Sequence, residues 1–326
     1  MSLEYRPVRR LPRKGPDMAA THTLVMTGAS RGIGRIAAEA IFQSDPRVHL
    51  VVVARGDSGR TVASELSKGG RSVSSVSADL GSLDSVRSAA AEIATQLERG
   101  ELPPLHGFVG NAGIQYTNAL TEGADGYEAT FTVNVLANHV LIRALEKHFV
   151  PNSRITITVS DTHFGDFKHN MGMVPGPVWQ APEKLAKTSA FAKPTTTAAG
   201  RTAYSTSKLA AIYLVHEYAR RLPKGIDVVS YNPGFVPGTG LARNADAVSR
   251  FMMGRVMPLM ALMALTSMAT SQKDAGRYLA DVVLGKTTAS TGSYVDRAKV
   301  DRSSDESYDR TRERDLWNTV EKLTAA

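Results

Sequence analysis

The sequence contains no cysteine among its 326 residues, only two tryptophans, and an aromatic content of 6%. Without cysteine, the chain can form no disulfide, no thiolate metal site and no thiol nucleophile. It also shows no internal repeat, and its N-terminal residues lack the apolar core that a secretory signal requires. What remains is the composition of an ordinary globular protein, with 42% hydrophobic and 21% charged residues and enough length to bury a large core.

Long hydrophobic runs are scarce as well. In the most apolar segment, residues 251–268, Arg255 and Pro258 leave about ten consecutive apolar residues where a membrane helix needs about 20. We therefore predict no transmembrane segment and a cytoplasmic location. His163 and His169 lack a third ligand at suitable spacing, so the sequence predicts no metal site.

Residues 1–18 carry part of the net charge of +8, through Arg6, Arg9, Arg10, Arg13 and Lys14. This segment contains prolines and no apolar period, so we expect a disordered basic arm before a single domain at 19–326. A basic arm can contact nucleic acid or an anionic surface; the alternatives are a solvated extension or a true start at Met18. No aromatic or helical pattern accompanies the charge, and we predict no nucleic-acid partner.

The most informative stretch is a glycine-rich turn between two regular elements. Residues 24–26 form an apolar run that predicts a buried strand, and apolar residues from Ile33 onward recur at helical spacing. A strand, a tight turn and a helix N-terminus together form an anion site, because free N–H groups and the helix dipole face a phosphate. The residues predicted to bind a cofactor phosphate here are Gly28, Ser30, Arg31, Gly32, Ile33 and Gly34.

Tyr204 and Lys208 stand at positions i and i+4 of a predicted helix over residues 203–222. This spacing places both side chains on one helix face. A nearby ammonium favours the phenolate, so we expect the pKa of Tyr204 to be lowered from about 10 toward neutral pH. Tyr204 is then a candidate proton donor or acceptor.

The pattern TGxxxGxG at residues 27–34, followed by YSTSK at 204–208, resembles the short-chain dehydrogenase/reductase family. The resemblance extends from about residue 21 to the C-terminus. It implies one doubly wound Rossmann domain, a parallel sheet of about seven strands with helices on both faces. The long gap before YSTSK, residues 161–202, is similar to the retinol-dehydrogenase-like and protochlorophyllide-reductase-like branch, as are residues 239–241 and Arg243. The absence of cysteine argues against the light-driven reaction of the latter.

Hydrophobic patterns place further strands at residues 48–54, 72–78, 105–110, 154–160, 226–231 and 292–295. Helices are predicted at residues 86–97, 125–150 and 315–323, with another that ends at 282–284.

Arg55 directly follows the second strand, where an acidic residue would favour NAD and an arginine favours the 2′-phosphate of NADP. Together with Arg31 it predicts NADP(H), although Asp57 keeps NAD open. The resemblance implies that Asp79 and Leu80 contact the adenine. Asp79 has an alternative role as a helix cap, for which Ser82 competes.

The resemblance assigns further cofactor contacts to two strand ends. Asn111, Ala112 and Gly113 match the family's NNAG, with Gly110 in its first place. Small residues there let the chain pass under the cofactor, and Asn111 is expected to brace the sheet. A later loop is expected to hold the nicotinamide carboxamide through Pro233, Gly234, Val236 and Thr239, the last one place later than usual.

The resemblance also assigns catalytic roles to Asn134 and Ser160, beside Tyr204 and Lys208. Asn134 is expected to distort its helix and hold a relay water; otherwise it, or Asn138, lies on a polar face. Ser160 is expected to polarise the substrate carbonyl, with Asp161 where a second small residue is usual; otherwise it is a capping serine.

Two segments bear on the substrate. The insertion 161–202 contains Phe164, Phe167, Trp179 and Phe191, and a lid expected at 239–271 is rich in methionine. Such apolar surface predicts a bulky hydrophobic substrate. The alternative is that these segments pack against each other or against a second subunit, in a homodimer or homotetramer.

Together these features predict an NADP(H)-dependent oxidoreductase that interconverts a carbonyl and an alcohol. One alternative is reduction of a C=C bond by the same fold. Another is a regulator that senses NADP(H) without turnover, but such relatives usually lose the tyrosine or the lysine, and this chain retains both.

Overall fold

The computed structural model describes residues 19–170, 172, 174–237, 242–243 and 269–325. The expected basic arm, Thr239 and nearly all of the expected lid lie outside the described residues. The strands are β1 His22–Thr27, β2 Val48–Ala54, β3 Ser72–Ser77, β4 Leu105–Gly110, β5 Gln115–Tyr116, β6 Phe149–Thr158, β7 Ile226–Asn232, β8 Ala242–Arg243, β9 Tyr294–Asp296 and β10 Lys299–Asp301.

Eight of these strands form one sheet in the order β10-β9-β7-β6-β4-β1-β2-β3. Every pairing from β9 to β3 is parallel, which confirms the doubly wound fold. The expected count of about seven omitted β10, which pairs antiparallel with β9 at the sheet edge. This strand is short and fully exposed, so it has no buried apolar pattern to reveal it.

The helices are α1 Gly32–Ser44, α2 Asp57–Leu66, α3 Leu83–Glu98, α4 Ala129–Phe131, α5 Ala137–Leu145, α6 Phe167–Asn170, α7 Pro182–Leu185, α8 Thr197–Arg221, α9 Gln272–Val283 and α10 Arg310–Thr324. Two hydrophobic cores lie on the two faces of the sheet. One buries α1, α2 and α9 against the strands, and the other buries α3, α5, α8 and α10. No helix within the described ranges is long and apolar enough to cross a membrane.

The predicted helix over 125–150 is wrong at both ends and in its interior. The chain becomes helical only at Ala129, passes through a π-helical turn at Thr132–Leu136, and continues as α5. Asp125 lies outside the helix because its Oδ2 accepts from Leu83 N, 2.8 Å away, at the start of α3. The last predicted residues belong instead to β6, which starts at Phe149 and ends at Thr158, before Ser160.

The helix α8, which carries Tyr204 and Lys208, begins earlier than predicted, at Thr197, because Thr196 caps it. Thr196 Oγ1 accepts from Ala199 N over 3.3 Å. Similarly, α10 begins at Arg310, where Asp309 accepts from two backbone N–H groups. In both helices a side-chain acceptor satisfies the first-turn donors, and this fixes the helix start upstream of the apolar repeat.

The insertion 161–202 is part of the folded domain. The Trp179 ring lies edge-on to the ring of Tyr213 in α8, with centroids 4.8 Å apart. Phe164, Trp179 and Phe191 all pack against the larger core, whereas Phe167 is 76% exposed. Three of the four aromatics thus help to bury the insertion, and a substrate-facing role for this segment stays a prediction.

Candidate functional site

The candidate site lies at the carboxyl edge of the parallel sheet. The chain order of the strands reverses between β1 and β4, which are paired neighbours. Ligands of open α/β sheets bind at such a switch point, outside the carboxyl ends of the strands. The glycine turn follows β1, Asn111 follows β4, Ser160 follows β6, and Pro233 follows β7. These predicted site residues therefore all lie at the carboxyl edge of the sheet.

The turn after β1 is closed by backbone contacts that only glycine permits. A Cβ on Gly34 would lie 2.0 Å from Gly28 O, and one on Gly28 would lie 2.7 Å from Ala112 N. Gly28 also has a φ of +71°, in the left-handed region. Asn111 Nδ2 donates to Gly28 O over 3.1 Å and so ties this turn to the loop after β4.

Further hydrogen bonds brace the same two loops. Thr27 Oγ1 accepts from Ala112 N at 3.1 Å, and Thr158 Oγ1 donates to Asn111 Oδ1 at 3.2 Å. Asn111 therefore links three strand ends, as the resemblance implied. The turn at residues 28–34, called the glycine cradle below, includes the start of α1 at Gly32. The side chain of Arg31 does not cap this helix. The first N–H groups of a helix lack intrahelical partners, so this end fits an anionic group.

Arg55 and Asp79 meet at the ends of β2 and β3. Arg55 Nη1 lies 3.9 Å from Asp79 Oδ2, and both side chains are mostly exposed. Asp79 Oδ1 accepts from Gly81 N. The cap of α3 is Ser82 and not Asp79. Asp57 forms an ion pair with Arg60 in the first turn of α2.

Leu80, the remaining predicted adenine contact, is partly buried against the larger core.

Tyr204, Ser160 and Lys208 come together beside the cradle. Tyr204 and Lys208 are 5% and 4% exposed on α8, and the Lys208 ammonium lies 5.5 Å from the Tyr204 ring centroid. Lys208 Nζ donates to Thr158 O, at the end of β6, over 2.9 Å. The Ser160 hydroxyl lies close enough to the Tyr204 phenol to lower the pKa of that phenol. Ser160 Oγ also accepts from Thr162 N at 3.3 Å, so the serine is a cap as well.

The prediction that the pKa of Tyr204 is lowered is wrong for the protein alone. Burial raises the pKa of this phenol well above its usual value, and the carboxyl of Asp161 raises it further, whereas Ser160 lowers it. Burial also lowers the pKa of Lys208 to about 8. Desolvation penalises each charged form, and it is the largest cause of both pKa shifts.

Asn134 lies inside the π-helical turn at Thr132–Leu136 and is almost fully buried. Its Oδ1 accepts from Ile114 N at 3.0 Å, and its Nδ2 donates to Ile114 O at 3.1 Å and to Ser207 Oγ at 2.9 Å. The alternative that Asn134 sits on a polar face is excluded. Its side chain joins the helix to the loop after β4 and to α8.

The three residues between Tyr204 and Lys208 anchor two neighbouring parts of the chain, the insertion and the π-helical turn. Ser205 Oγ donates to Pro175 O at 2.6 Å, and Thr206 Oγ1 accepts from Val178 N at 3.0 Å, so both hold the insertion. Ser207 Oγ donates to Tyr204 O at 2.7 Å while it accepts from Asn134. The motif thus links α8 to the insertion and to the π-helical turn that contains Asn134.

His163, considered above as a metal ligand, has a structural role. Its Nδ1 donates to Ser160 O at 2.6 Å, and its Nε2 accepts from Ser304 N at 3.1 Å. Burial lowers the pKa of this imidazole to about 4, so it is neutral. Both ring nitrogens are occupied, and they position the chain at Ser160.

In the loop after β7, Gly234 has a φ of +71° and its N–H donates to Asn232 Oδ1 at 3.2 Å. Pro233 precedes it and Val236 follows it at the same edge, after Phe235, which bridges to Ala269.

Sequence reasoning missed two polar residues of the site. Asn138 is buried, and its Nδ2 donates to Asn134 O at 3.0 Å. Its Oδ1 lies 2.5 Å from where a Cβ on Gly110 would be. Asp161 lies against Ser160, although its sequence position marked only a departure from the family pattern. For Asn138 the signal was its pairing with the unusual Gly110, and for Asp161 it was the acidic residue beside the serine.

Comparison with known proteins agrees with this geometry. A family model described as short chain dehydrogenase matches residues 22–170, and one described as AcuH dehydrogenase domain matches residues 239–325. Protochlorophyllide reductase A from chloroplasts of Oryza sativa subsp. japonica is 30% identical over 321 residues, 92% of this chain and 80% of that protein. A protein of Streptomyces sp. (strain C5), described as a daunorubicin C-13 ketoreductase, is 34% identical over 231 residues, 70% of each chain.

Solved structures share the fold at low sequence identity. The NADPH-bound carbonyl reductase from chicken fatty liver superposes with a TM-score of 0.58 at 18% identity, over 86% of this chain and 99% of that one. A short-chain dehydrogenase/reductase from Brucella melitensis has a TM-score of 0.58 at 17% identity, over 86% and 95% of the chains. The protein therefore belongs to the short-chain dehydrogenase/reductase family of oxidoreductases, near its protochlorophyllide-reductase-like branch.

Proposed function

We propose that the protein is an NADP(H)-dependent oxidoreductase that interconverts a carbonyl and an alcohol on a bulky, largely hydrophobic substrate. The observation that carries this proposal is the meeting of Tyr204, Ser160 and Lys208 beside the glycine cradle. Tyr204 is the acid/base, Ser160 binds the substrate oxygen, and Lys208 holds the cofactor ribose and the charge next to Tyr204. Asn134 holds the relay water.

The residues present fit an NADP(H) molecule. A Cβ at Gly28 or Gly34 would strike protein atoms, so these glycines keep the turn tight, and backbone N–H groups at the uncapped start of α1 would bind the pyrophosphate. Arg55, with Arg31, would pair with the 2′-phosphate, and Asp79 would meet the adenine. Pro233, Gly234, Val236 and Thr239 would hold the carboxamide. When bound, the nicotinamide supplies or accepts the hydride.

The chain's own groups control the proton. At neutral pH the phenol of Tyr204 keeps its proton, because burial raises its pKa. A substrate oxygen that becomes negative would take this proton, with Ser160 as a second donor. Lys208 is held at Thr158 O and stays mostly protonated at pH 7, since its pKa of about 8 lies above neutral. It is placed to stabilise the phenolate that remains.

Support for a bulky apolar substrate comes from two exposed side chains in the insertion. Phe167 is 76% and Val178 is 48% exposed. Phe167 opens the short helix that follows the turn after Ser160, and Val178 N donates to Thr206, within the catalytic motif. Apolar surface that remains uncovered beside a candidate site fits a lipophilic ligand. Location in the cytoplasm and assembly as a homodimer or homotetramer remain predictions.

The test is Tyr204→Phe, measured for NADPH-dependent turnover of a panel of carbonyl compounds and for NADP⁺ affinity by calorimetry. We expect turnover to fall by at least a hundredfold, a typical acid/base contribution, with affinity changed less than threefold. The matched control is Tyr213→Phe, which removes a buried phenol of the same helix that donates to Glu306 O at 2.8 Å. A Tyr204→Phe enzyme with near wild-type turnover would contradict the proposal. Tight binding without any wild-type turnover would favour the regulator.

Reduction of a C=C bond is a second candidate, favoured by the relatives described as protochlorophyllide reductases. Product analysis with a conjugated enone distinguishes the two reactions. An allylic alcohol is the product of carbonyl reduction, and a saturated ketone is the product of C=C reduction.

A further inference from the structure

Asp161 occupies an unusual place, directly after the serine of the candidate site. Ser160 Oγ donates to Asp161 Oδ1 over 3.3 Å, and the same serine hydroxyl lies near enough to the Tyr204 phenol to lower its pKa. Asp161 N donates to Asn232 Oδ1 at 3.1 Å, which fixes the turn after β6 against the end of β7. A carboxyl group is therefore held against the hydroxyl that faces the substrate oxygen.

Charged and titratable groups surround Asp161 from four elements. They are Tyr204 on α8, His169 on α6, Tyr294 and Asp296 on β9, and Arg297 after β9. Asn232 lies between the two carboxyls, because its Nδ2 donates to Asp296 Oδ1 at 2.8 Å while its Oδ1 accepts from Asp161 N.

Burial and the negative charge of Asp296 raise the pKa of Asp161 to about 6, against the lowering by Ser160, Arg297 and His169. Asp161 thus changes its charge close to neutral pH.

The charge of Asp161 decides what Ser160 can do. A serine hydroxyl has one proton to donate, and an ionised carboxyl can only accept. Ionised Asp161 therefore draws the proton of Ser160 toward itself and away from a substrate oxygen. A protonated carboxyl can instead donate to Ser160 Oγ, which leaves the serine proton available. The ionised form also raises the pKa of Tyr204 and so opposes the phenolate.

We propose that Asp161 is a positioning residue, whose protonated carboxyl directs the Ser160 hydroxyl toward the substrate oxygen. This inference rests on the proposed function, since it takes Ser160 as the group that binds that oxygen. It adds an element that the family motif does not contain, an acidic control of the serine.

The test compares the wild type, Asp161→Asn and Asp305→Asn. Asparagine retains the shape and a donor but has no charge, and Asp305 is a control carboxyl whose side chain is 92% exposed. We measure kcat and KM for NADPH-dependent reduction of 9,10-phenanthrenequinone from pH 5 to 8. Wild-type kcat should fall at least fivefold as the pH rises through about 6, with little change in KM.

Asp161→Asn should lose this step and retain the rate of the acidic plateau, whereas Asp305→Asn should retain the wild-type profile. An Asp161→Asn enzyme that keeps the wild-type step, or is slower at every pH with the same profile, overturns the proposal. So does a wild-type profile that is flat across this range.

A wild type that reduces no quinone at any pH contradicts the proposed function and not the contact itself. The contact is then judged by ¹³C NMR of labelled aspartate carboxyls. We expect one signal, absent from Asp161→Asn, that titrates near pH 6 and shifts in Ser160→Ala. A titration near pH 4, or no response to Ser160→Ala, overturns the inference.

Discussion

Substitution of Gly34 by alanine tests the packing on which the site depends. The new Cβ would lie 2.0 Å from Gly28 O and 2.4 Å from Asn111 Nδ2, where 3.4–4 Å is an ordinary contact. The turn must move by more than an ångström, or the Asn111–Gly28 hydrogen bond must break. Overpacking costs about 1–3 kcal/mol, and loss of this hydrogen bond costs about 1 kcal/mol more. The better helix propensity of alanine offsets about 1 kcal/mol.

We therefore expect Gly34→Ala to lower the free energy of unfolding by about 2 kcal/mol in urea titrations at pH 7. Because the displaced turn is the proposed phosphate site, NADP⁺ affinity should fall at least tenfold. The matched control is Gly59→Ala in α2, where the nearest atom would lie 3.4 Å away. That variant should gain up to about 1 kcal/mol and bind NADP⁺ normally. An unchanged stability of Gly34→Ala would refute the steric argument, and lower stability with intact binding would refute the phosphate site.

Three further predictions follow from single side chains. Arg55→Ala should weaken NADP⁺ by about 10- to 100-fold and NAD⁺ hardly at all, with Arg60→Ala, on the next helix, as control; equal losses for both cofactors would exclude a 2′-phosphate contact. In a panel of carbonyl compounds graded by size, kcat/KM should rise with the apolar size of the substrate. Phe167→Ser should reduce kcat/KM for the largest compounds, and the control Val300→Ser should not. A maximum of kcat/KM at small polar carbonyls would contradict the substrate proposal. Because the folded-state pKa of Asp161 is raised to about 6, its ionised form destabilises the fold above that pH and has no effect below about pH 4. Asp161→Asn should accordingly raise the unfolding free energy by about 1–3 kcal/mol at pH 8 and leave it unchanged at pH 4, and the same gain at both pH values would disprove the titration.

Local sequence patterns were sufficient to predict the parallel sheet and the glycine turn of this protein. The glycine turn, the buried strands and the i, i+4 pair of Tyr204 and Lys208 depend on backbone sterics and on periodicities of neighbouring residues. The structure accordingly confirms the parallel sheet and places the predicted groups at one edge of it. Asn111 could be predicted as a brace because the family motif carries that residue at a fixed place after a strand.

Other features depended on residues distant in sequence. A single sequence shows no difference between an aromatic residue that faces a substrate and one that buries its own loop, and the contact of Trp179 with Tyr213 exists only in the folded chain. The start of α8 is set by its cap, Thr196, which lies outside the apolar repeat that predicted the helix.

Residue periodicity was enough to predict the parallel sheet and the glycine-rich turn, and the family motifs indicated Ser160, Tyr204 and Lys208 as candidate reactive groups. The protonation states of these groups depend on burial and on neighbours that are distant in sequence. The pKa of Tyr204 is raised because the fold buries its phenol, and the pKa of Asp161 is raised to about 6 because the fold buries its carboxyl and brings Asp296 near it. Desolvation and long-range charge depend on three-dimensional proximity, which the spacing of residues along a chain does not contain.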